Sequence, residues 1–149
     1  VYAKDWLEAT LKRCELQPKS DHSPNLGYVG YELLTVLAER QLQLAQSVIL
    51  DSVASVESIR KQWRELATQY DATWSVIECI CSDENAHRAR LSKRKRNIPG
   101  WHELDWSEVE RVRGYYAPWQ EDRLIVDAAE PVRANCEAVL TYLAGRTQV

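Results

Sequence analysis

The sequence predicts an α/β protein built on one parallel sheet with helices on both faces. Short apolar runs alternate with longer amphipathic stretches, which is typical of strands that alternate with helices. Hydrophobic residues make up 45% of the chain and charged residues 28%, so a packed core is expected. The length of 149 residues matches one domain, and we therefore expect residues 1–149 to form a single domain.

The first half of the chain is predicted to contain two strands and three helices. A short opening strand at 1–4 leads into a helix over 5–15, whose apolar residues share one face. A helix over 28–46 has apolar residues at helical spacing and runs into a β-branched, apolar strand at 47–51. A third helix follows at 56–70.

The second half begins with a strand at 73–80 and a basic helix. Ser82 or Asp83 can cap this helix, which extends to about Arg94 before Pro99 and the glycine that follows it stop the pattern. Together with the strand at 47–51 and its following helix, the strand at 73–80 completes a βαβ unit.

Two further helices and one strand complete the predicted fold. Asp105 and Glu108 predict a capping box for a helix that ends before Pro118. A strand is predicted at 123–127, and a helix at 131–145 follows it. Every predicted strand is therefore followed by a helix, which is the pattern of a parallel sheet.

Composition and charge exclude several classes of protein. Nineteen Lys and Arg residues against 22 Asp and Glu give a net charge of -3, so the chain as a whole is not expected to bind nucleic acid or a membrane surface. No membrane-spanning run and no signal segment is apparent, so we expect a cytoplasmic protein. The four cysteines form no C-x-x-C pair, and we expect neither a zinc site nor a disulfide scaffold. The oligomeric state is left open.

Three of the predicted strands have an aspartate as their last residue or directly after it. These residues are Asp5, Asp51 and Asp127. Because parallel strands end at one edge of a sheet, we expect the three carboxylates along that edge. A carboxylate there can hold Mg²⁺ through water or accept the proton of an attacking hydroxyl, and phosphoryl transfer needs both. Each aspartate taken alone is also consistent with a cap on the next turn or helix.

A basic run follows the third predicted strand. Six of the nine residues from Arg88 to Arg96 are cationic. On a helix Arg90 and Arg94 share one face, so their two guanidinium groups can hold one polyphosphate. A solvated helix face is the alternative. The Pro-Gly break and the Trp-rich segment that follow favour a movable lid over 84–119.

Aromatic side chains beside the basic run offer a second interpretation. They are Trp101, Trp106, Tyr115, Tyr116 and Trp119. Such rings can stack bases of single-stranded nucleic acid, although packing is their commoner role. Nucleic acid therefore remains a candidate partner, and a small molecule is the favoured one.

Several short motifs resemble a known family. They are residues 47–53 (SVILDSV), 78–83 (ECICSD) with 87–90 (HRAR), 98–100 (IPG), 116–119 (YAPW) and 125–127 (IVD). Together they extend over about residues 2–143, and they resemble the small P-loop kinases, often described as AAA-family ATPases or predicted kinases. That group is related to chloramphenicol phosphotransferase, zeta toxin and polynucleotide kinase. The resemblance implies a P-loop NTPase fold of the nucleoside-kinase type.

The resemblance also implies roles for individual residues. Asp5 would orient or deprotonate the acceptor hydroxyl, and Asp51 would stand at the strand end beside Mg²⁺. Arg90 and Arg94, together with Arg88, would be lid arginines on the phosphates of ATP.

The remaining implied contacts concern the adenine and the acceptor. The loop after Asp127 would border the adenine. The loop at 18–27, with Tyr28 and Tyr31 on the helix that follows it, would help to form the acceptor pocket.

One defining motif of that family does not occur in this sequence. The phosphate-binding G-x-x-x-x-G-K-[ST] is absent, since none of the five glycines is followed by lysine. In the family this motif and the first strand precede the point where this chain begins, so we expect such a segment to precede Val1. Because that strand normally lies in the middle of the sheet, its loss would leave two half-sheets with unpaired inner edges.

These observations predict an ATP- and Mg²⁺-dependent kinase that phosphorylates a hydroxyl of a small acceptor. A kinase of nucleic-acid ends is one alternative, suggested by the basic helix and the nearby aromatic residues. A non-catalytic module with a nucleotide-binding fold is another, suggested by the missing phosphate-binding motif.

Overall fold

The computed structural model describes residues 1–15 and 25–146. Within this part of the chain, short parallel strands and six helices form a mixed α/β fold. The elements in chain order are β1 (Tyr2–Ala3), α1 (Lys4–Arg13), α2 (Leu26–Gln43), β2 (Leu50–Asp51), α3 (Glu57–Gln69), β3 (Ile77–Ile80), α4 (Glu84–Lys93), α5 (Trp106–Arg113), β4 (Leu124–Asp127) and α6 (Val132–Arg146). None of these helices has the length and apolar character needed to cross a membrane.

The strands form two separate two-stranded sheets, which differs from the single sheet expected. In the first sheet β1 and β2 pair with Ala3 opposite Asp51. In the second, β3 and β4 pair with Ile80 opposite Asp127. No strand in the described residues joins the two pairs.

The strands are also shorter than their apolar runs suggested. The predicted strand at 47–51 pairs only at Leu50–Asp51, and the strand at 73–80 only at Ile77–Ile80. The reason is the partner strand, because β1 offers two residues before α1 begins at Lys4. A run of β-branched residues shows where a strand can form, whereas the neighbouring strand sets how much of it is paired.

Backbone contacts divide the chain into two compact units. Unit 1 comprises Val1–Tyr70 and Lys95–Glu103, and unit 2 comprises Asp71–Arg94 and Leu104–Val149. The single domain over 1–149 therefore stays a prediction. The predicted lid at 84–119 also stays a prediction, and it contributes residues to both units.

The core of unit 1 lies where α2 packs against α3. Leu34 on α2 is fully buried, and Trp63 on α3 is 5% exposed. The Trp63 ring meets the Tyr31 ring edge to face, with 5.9 Å between centroids, and its Nε1–H donates to Thr35 Oγ1 at 2.8 Å. These contacts hold α2 and α3 together, and α2 also contacts β1.

In unit 2, α6 contacts β4, although none of the residues of α6 is itself buried. Val76 and Val126 are buried. The Val76 N–H donates to the Tyr142 hydroxyl at 3.4 Å, and Arg146 Nη1 donates to the Trp74 carbonyl at 3.1 Å. Residues of α6 therefore bond to backbone groups beside β3 and hold the helix against that sheet.

The capping box predicted at the start of α5 is present. Asp105 Oδ1 accepts from the Glu108 N–H at 3.2 Å, and Glu108 Oε2 accepts from the Asp105 N–H at 3.1 Å. The two side chains therefore satisfy two backbone donors that the helix itself leaves unpaired.

We expect Asp105→Ala to lower the free energy of unfolding by about 1 kcal/mol, because it removes the acceptor for an N-terminal helix N–H. Urea denaturation followed by circular dichroism measures this change. Glu108→Gln is the matched control, since the amide oxygen can still accept from the Asp105 N–H. An unchanged midpoint for Asp105→Ala would contradict a stabilising role for the cap.

Candidate functional site

Parallel pairing brings two of the three predicted carboxylates together in unit 1. Asp51 is the last residue of β2 and lies opposite Ala3 of β1. Asp5 follows Ala3 by two residues and lies in the first turn of α1. Asp5 and Asp51 both line one pocket of about 260 Å³. Two of the three carboxylates expected at the carboxyl ends of the strands therefore line the same pocket.

The pocket is completed by apolar groups and by one arginine. The other lining residues are Ala3, Trp6, Arg96 and Ile98. Arg96 Nη1 donates a charge-assisted hydrogen bond to Asp5 Oδ2. The pocket thus combines two acidic side chains, one cation and a partly apolar wall, a set suited to a polar molecule that carries a hydroxyl.

Arg96 is the residue of this pocket that sequence reasoning did not select. It lies in the basic run, yet its backbone N–H donates to Glu103 Oε1 at 2.7 Å and its Nε lies 3.7 Å from Glu103 Oε2. The available signal was its position beyond the end of α4, in the segment Lys95–Glu103 that packs with unit 1. Composition alone cannot separate Arg96 from the other cations of the run.

The two tyrosines predicted to bind the acceptor have different environments. Tyr28 is 56% exposed, and a hydrogen bond to the negatively charged Glu32 raises the pKa of its phenol. Tyr31 is 8% exposed and packs between Trp63 and the Lys4 ammonium, which lies 4.5 Å from its ring centroid. Tyr31 therefore has a packing role in unit 1, and substrate binding by either residue stays a prediction. Most of the loop at 18–27 lies outside the described residues.

Asp127, the third carboxylate, lies in unit 2 and ties two strand ends together. Its Oδ1 accepts from the Ser82 N–H at 3.0 Å and from the Ala129 N–H at 2.9 Å. Hydrogen bonds from the Ser82 side chain, and then from the Ala129 and Ser82 backbone, hold the pKa of Asp127 below its ordinary value. Its carbonyl accepts from Asn135 Nδ2 at 2.7 Å. Asp127 thus fixes the loop between β4 and α6.

That loop forms one wall of a large, mainly apolar cleft in unit 2. The cleft has a volume of about 990 Å³, and its apolar lining includes Val126, Pro131, Val139 and Leu140. Arg90 also lines it and donates from Nη1 to the Ala128 carbonyl at 2.6 Å. An apolar cleft with an arginine at its wall can accommodate a planar base beside a charged group.

The other predicted lid arginines have separate positions. Arg88 bonds to Glu84 through Nη2 at 2.9 Å, and its guanidinium lies 3.9 Å from the ring centroid of Trp106. This contact joins α4 to α5. Arg94 is the C-cap of α4, has extended backbone and is exposed. The helix ends at Lys93, so Arg94 lies just beyond it. Arg90 and Arg94 therefore do not share a helical face as expected.

A protein-family model described as an AAA domain matches residues 4–118 of the sequence. The chain belongs to the AAA domain family. This family is P-loop NTPase-like and includes kinase-like members, and the short parallel strands and six helices of the described residues are consistent with it. No curated protein and no solved structure matches the chain.

The AAA domain match covers most, but not all, of the candidate site. Asp5, Asp51 and the basic run lie within residues 4–118, whereas Asp127 and the loop after it lie beyond them. Membership of this family supports nucleotide binding. The unit 1 pocket and the unit 2 cleft are the candidate places for the chemistry of this AAA domain protein.

The depressed pKa of Asp127 predicts a pH-dependent contribution to stability. A carboxylate with a folded-state pKa below its ordinary 3.8 stabilises the fold above that value, and the contribution is lost as the pH falls through the folded pKa. We therefore expect Asp127→Asn to lower the melting temperature at pH 7, with the difference from wild type shrinking at pH values below 3.8.

Thermal melts between pH 7 and pH 3 measure this difference. Asp71→Asn, a change at an exposed residue of unit 2, is the control for a general change in charge. A difference that stays constant down to pH 3 would show that the Asp127 charge does not stabilise the loop.

Proposed function

We propose that this AAA domain protein is an ATP- and Mg²⁺-dependent phosphotransferase that moves the γ-phosphate to a hydroxyl of a small-molecule acceptor. The observation that carries the proposal is the convergence of Asp5 and Asp51 on one pocket at the carboxyl ends of two parallel strands. Ligands of open parallel sheets bind at this edge. Family membership, which supports nucleotide binding, agrees with it.

Asp5 is assigned to the acceptor hydroxyl. Arg96 engages Asp5 Oδ2, and Oδ1 has no hydrogen bond from the part of the chain that is described. Oδ1 is therefore available to accept the hydroxyl proton as the acceptor oxygen attacks the γ-phosphorus. Most of the catalysis in such a reaction comes from alignment and charge stabilisation, so the orientation of this carboxylate matters as much as its basicity.

Asp51 is assigned to the Mg²⁺ side of the pocket. Among the described residues no group of three or more His, Cys, Asp or Glu side chains could hold a metal ion. A single carboxylate still fits this cation, because Mg²⁺ in phosphotransferases is held by one or two carboxylates, water and the nucleotide phosphates. Mg²⁺, when bound, would neutralise charge on those phosphates.

The unit 2 cleft is assigned to the nucleotide. Its apolar wall suits an adenine ring, and Arg90 lies at its wall with a guanidinium group that suits phosphate. Arg94, at the exposed end of α4, is the second candidate for the phosphates. The motif that cradles the β- and γ-phosphates does not occur among the 149 residues, so the proposal assigns to them only the base and lid contacts.

The environments of the aromatic residues favour a small acceptor over a nucleic-acid end. Trp106 meets His87 edge to face at 5.2 Å and lies against Arg88. Trp119 donates to the Tyr116 hydroxyl at 2.8 Å, and that hydroxyl donates to Glu78 Oε1 at 2.9 Å. The Trp106 ring face is thus occupied by a guanidinium, whereas base stacking needs an open ring face. The polar atoms of Tyr116 and Trp119 hold these two residues within unit 2.

We expect Asp5→Asn to lower phosphoryl transfer by about 10²- to 10⁴-fold, the usual contribution of a general base. The measurement uses the full-length protein with γ-labelled ATP and Mg²⁺, and separates labelled products from a panel of nucleosides, sugars and aminocyclitols. A 5′-hydroxyl oligonucleotide is included as a further acceptor.

Glu65→Gln provides the control for loss of one carboxylate, because Glu65 is an exposed residue of α3. Equal rates for Asp5→Asn and wild type would refute the role of Asp5. Labelling of the oligonucleotide alone would instead favour the nucleic-acid-end kinase, and no transfer and no ATP hydrolysis would favour the non-catalytic module.

The lid assignment gives a second test. Arg90→Ala and Arg94→Ala are expected to lower ATP turnover at least tenfold while the melting temperature changes little, because each removes a cation assigned to phosphate. Steady-state turnover and thermal melts are measured on the same preparations. Lys93→Ala, an exposed cation of the same helix, is the control. Wild-type turnover in both arginine variants would refute the phosphate-binding role of Arg90 and Arg94.

A further inference from the structure

We propose that Arg96 is a positioning residue that holds the Asp5 carboxylate in place for proton transfer. The inference rests on the proposed function, because Arg96 acts only through Asp5. The contact that motivates it is the bond from Arg96 Nη1 to Asp5 Oδ2, which joins residues 91 positions apart in the sequence. Only Oδ1 of Asp5 is then left for a substrate.

Arg96 is itself firmly held. Its side chain is 18% exposed. Glu103 contacts Arg96 at two points. Its Oε1 accepts from the Arg96 backbone N–H at 2.7 Å, and its Oε2 forms an ion pair with Arg96 Nε at 3.7 Å. The cation therefore lies between two carboxylates. A guanidinium held at both backbone and side chain can act as a fixed support for Asp5.

Burial distinguishes a positioning role from direct phosphate binding. Nε and Nη2 of Arg96 are sealed from solvent and have no hydrogen-bond acceptor in the described part of the chain. A ligand phosphate cannot reach these two nitrogens unless the side chain moves. Nη1, the remaining nitrogen, is committed to Asp5. The geometry therefore directs the charge of Arg96 at the carboxylate and not at an incoming anion.

The segment that carries Arg96 also packs on the helix that carries Asp5. Gly100 has φ of +79°, and a Cβ at this position would lie 2.6 Å from Arg13 Cγ. The Lys12 ammonium lies 4.1 Å from the ring centroid of Trp101. Close contacts with α1 at both residues fix the segment Lys95–Glu103 along this helix. The distance between Arg96 and Asp5 is thus set by backbone packing as well as by the ion pair.

The phosphoryl transfer needs only ATP, the acceptor hydroxyl and the residues named in the proposed function. The acceptor oxygen forms a bond to the γ-phosphorus of ATP as the bond from that phosphorus to the β-γ bridging oxygen breaks. The hydroxyl proton passes to Asp5 Oδ1, and ADP leaves. Arg96 neither gains nor loses a proton. Its contribution is to keep Oδ1 aligned while the other carboxylate oxygen is held.

The test measures phosphate release from ATP, with water as the acceptor, in the full-length protein. We expect Arg96→Met to lower kcat by about 10- to 100-fold, the effect of misplacing a reacting group, with KM for ATP changed less than about twofold. Arg96→Lys should restore part of kcat, because it keeps the charge and loses the planar fork. Lys95→Met, an exposed neighbour with the same loss of charge, should match wild type.

A double variant separates positioning from a general structural role. If Arg96 acts through Asp5, adding Arg96→Met to Asp5→Asn causes no further loss of kcat, whereas independent effects would multiply. Multiplied losses, a raised KM for ATP at constant kcat, or wild-type kcat in Arg96→Met would each overturn the inference and leave the proposed function standing. If Arg96→Met does not fold, as judged by its thermal melt, Arg96→Lys is held to the same criteria. A wild-type protein that neither hydrolyses ATP nor transfers its phosphate to an acceptor would instead refute the proposed function, and this inference with it.

Discussion

Parallel pairing of very short strands is the constraint on which the candidate site depends. In β1 and β2 it sets Ala3 opposite Asp51, and in β3 and β4 it sets Ile80 opposite Asp127. Because paired parallel strands point the same way, the residues that leave them emerge at a common edge. A one-residue slip of either pair would turn its side chains to the opposite face and separate the groups that meet there.

Strands of two to four residues cannot hold such a register alone, so the helices must hold it. In unit 1 this depends on a close approach of α1 to α2. Gly30 permits it, because a Cβ there would lie 2.9 Å from Glu8 Cγ. Glu8 is buried and forms an ion pair with Lys4, which in turn lies over Tyr31. The first turn of α1, and with it Asp5, is therefore oriented by packing against α2.

Local signals in the sequence predicted the parts of the structure that local physics determines. The order of strands and helices follows from hydrophobic periodicity, and the capping box at Asp105 needs only residues three positions apart. That Asp5 and Asp51 line one pocket agrees with the common direction of β1 and β2, which the sequence pattern indicated. The number of sheets and the packing role of Tyr31 did not follow, because both depend on which distant elements lie next to each other.

The arginines of the basic run also show what the sequence could not predict. They lie close together in the sequence, but in the structure each has a different partner. Arg88 joins α4 to α5 through Trp106, and Arg90 bonds to the Ala128 carbonyl at the wall of the cleft. Arg96 bonds to Asp5. Each partner lies at least 18 residues away along the chain, so neither charge nor helical spacing within the run identifies it.

Because Arg96 is largely buried, its side chain depends on its carboxylate partners for charge compensation. A guanidinium taken out of water loses much of its hydration, and only well-placed carboxylates offset that cost. Asp5 and Glu103 supply two of them. Removal of Asp5 would leave Arg96 with Glu103 as its one carboxylate partner in the described part of the chain. The Asp5 side chain thus has a structural partner as well as its proposed catalytic role. Asp5→Asn separates these two roles better than Asp5→Ala does, because the amide keeps an oxygen acceptor for Arg96 Nη1.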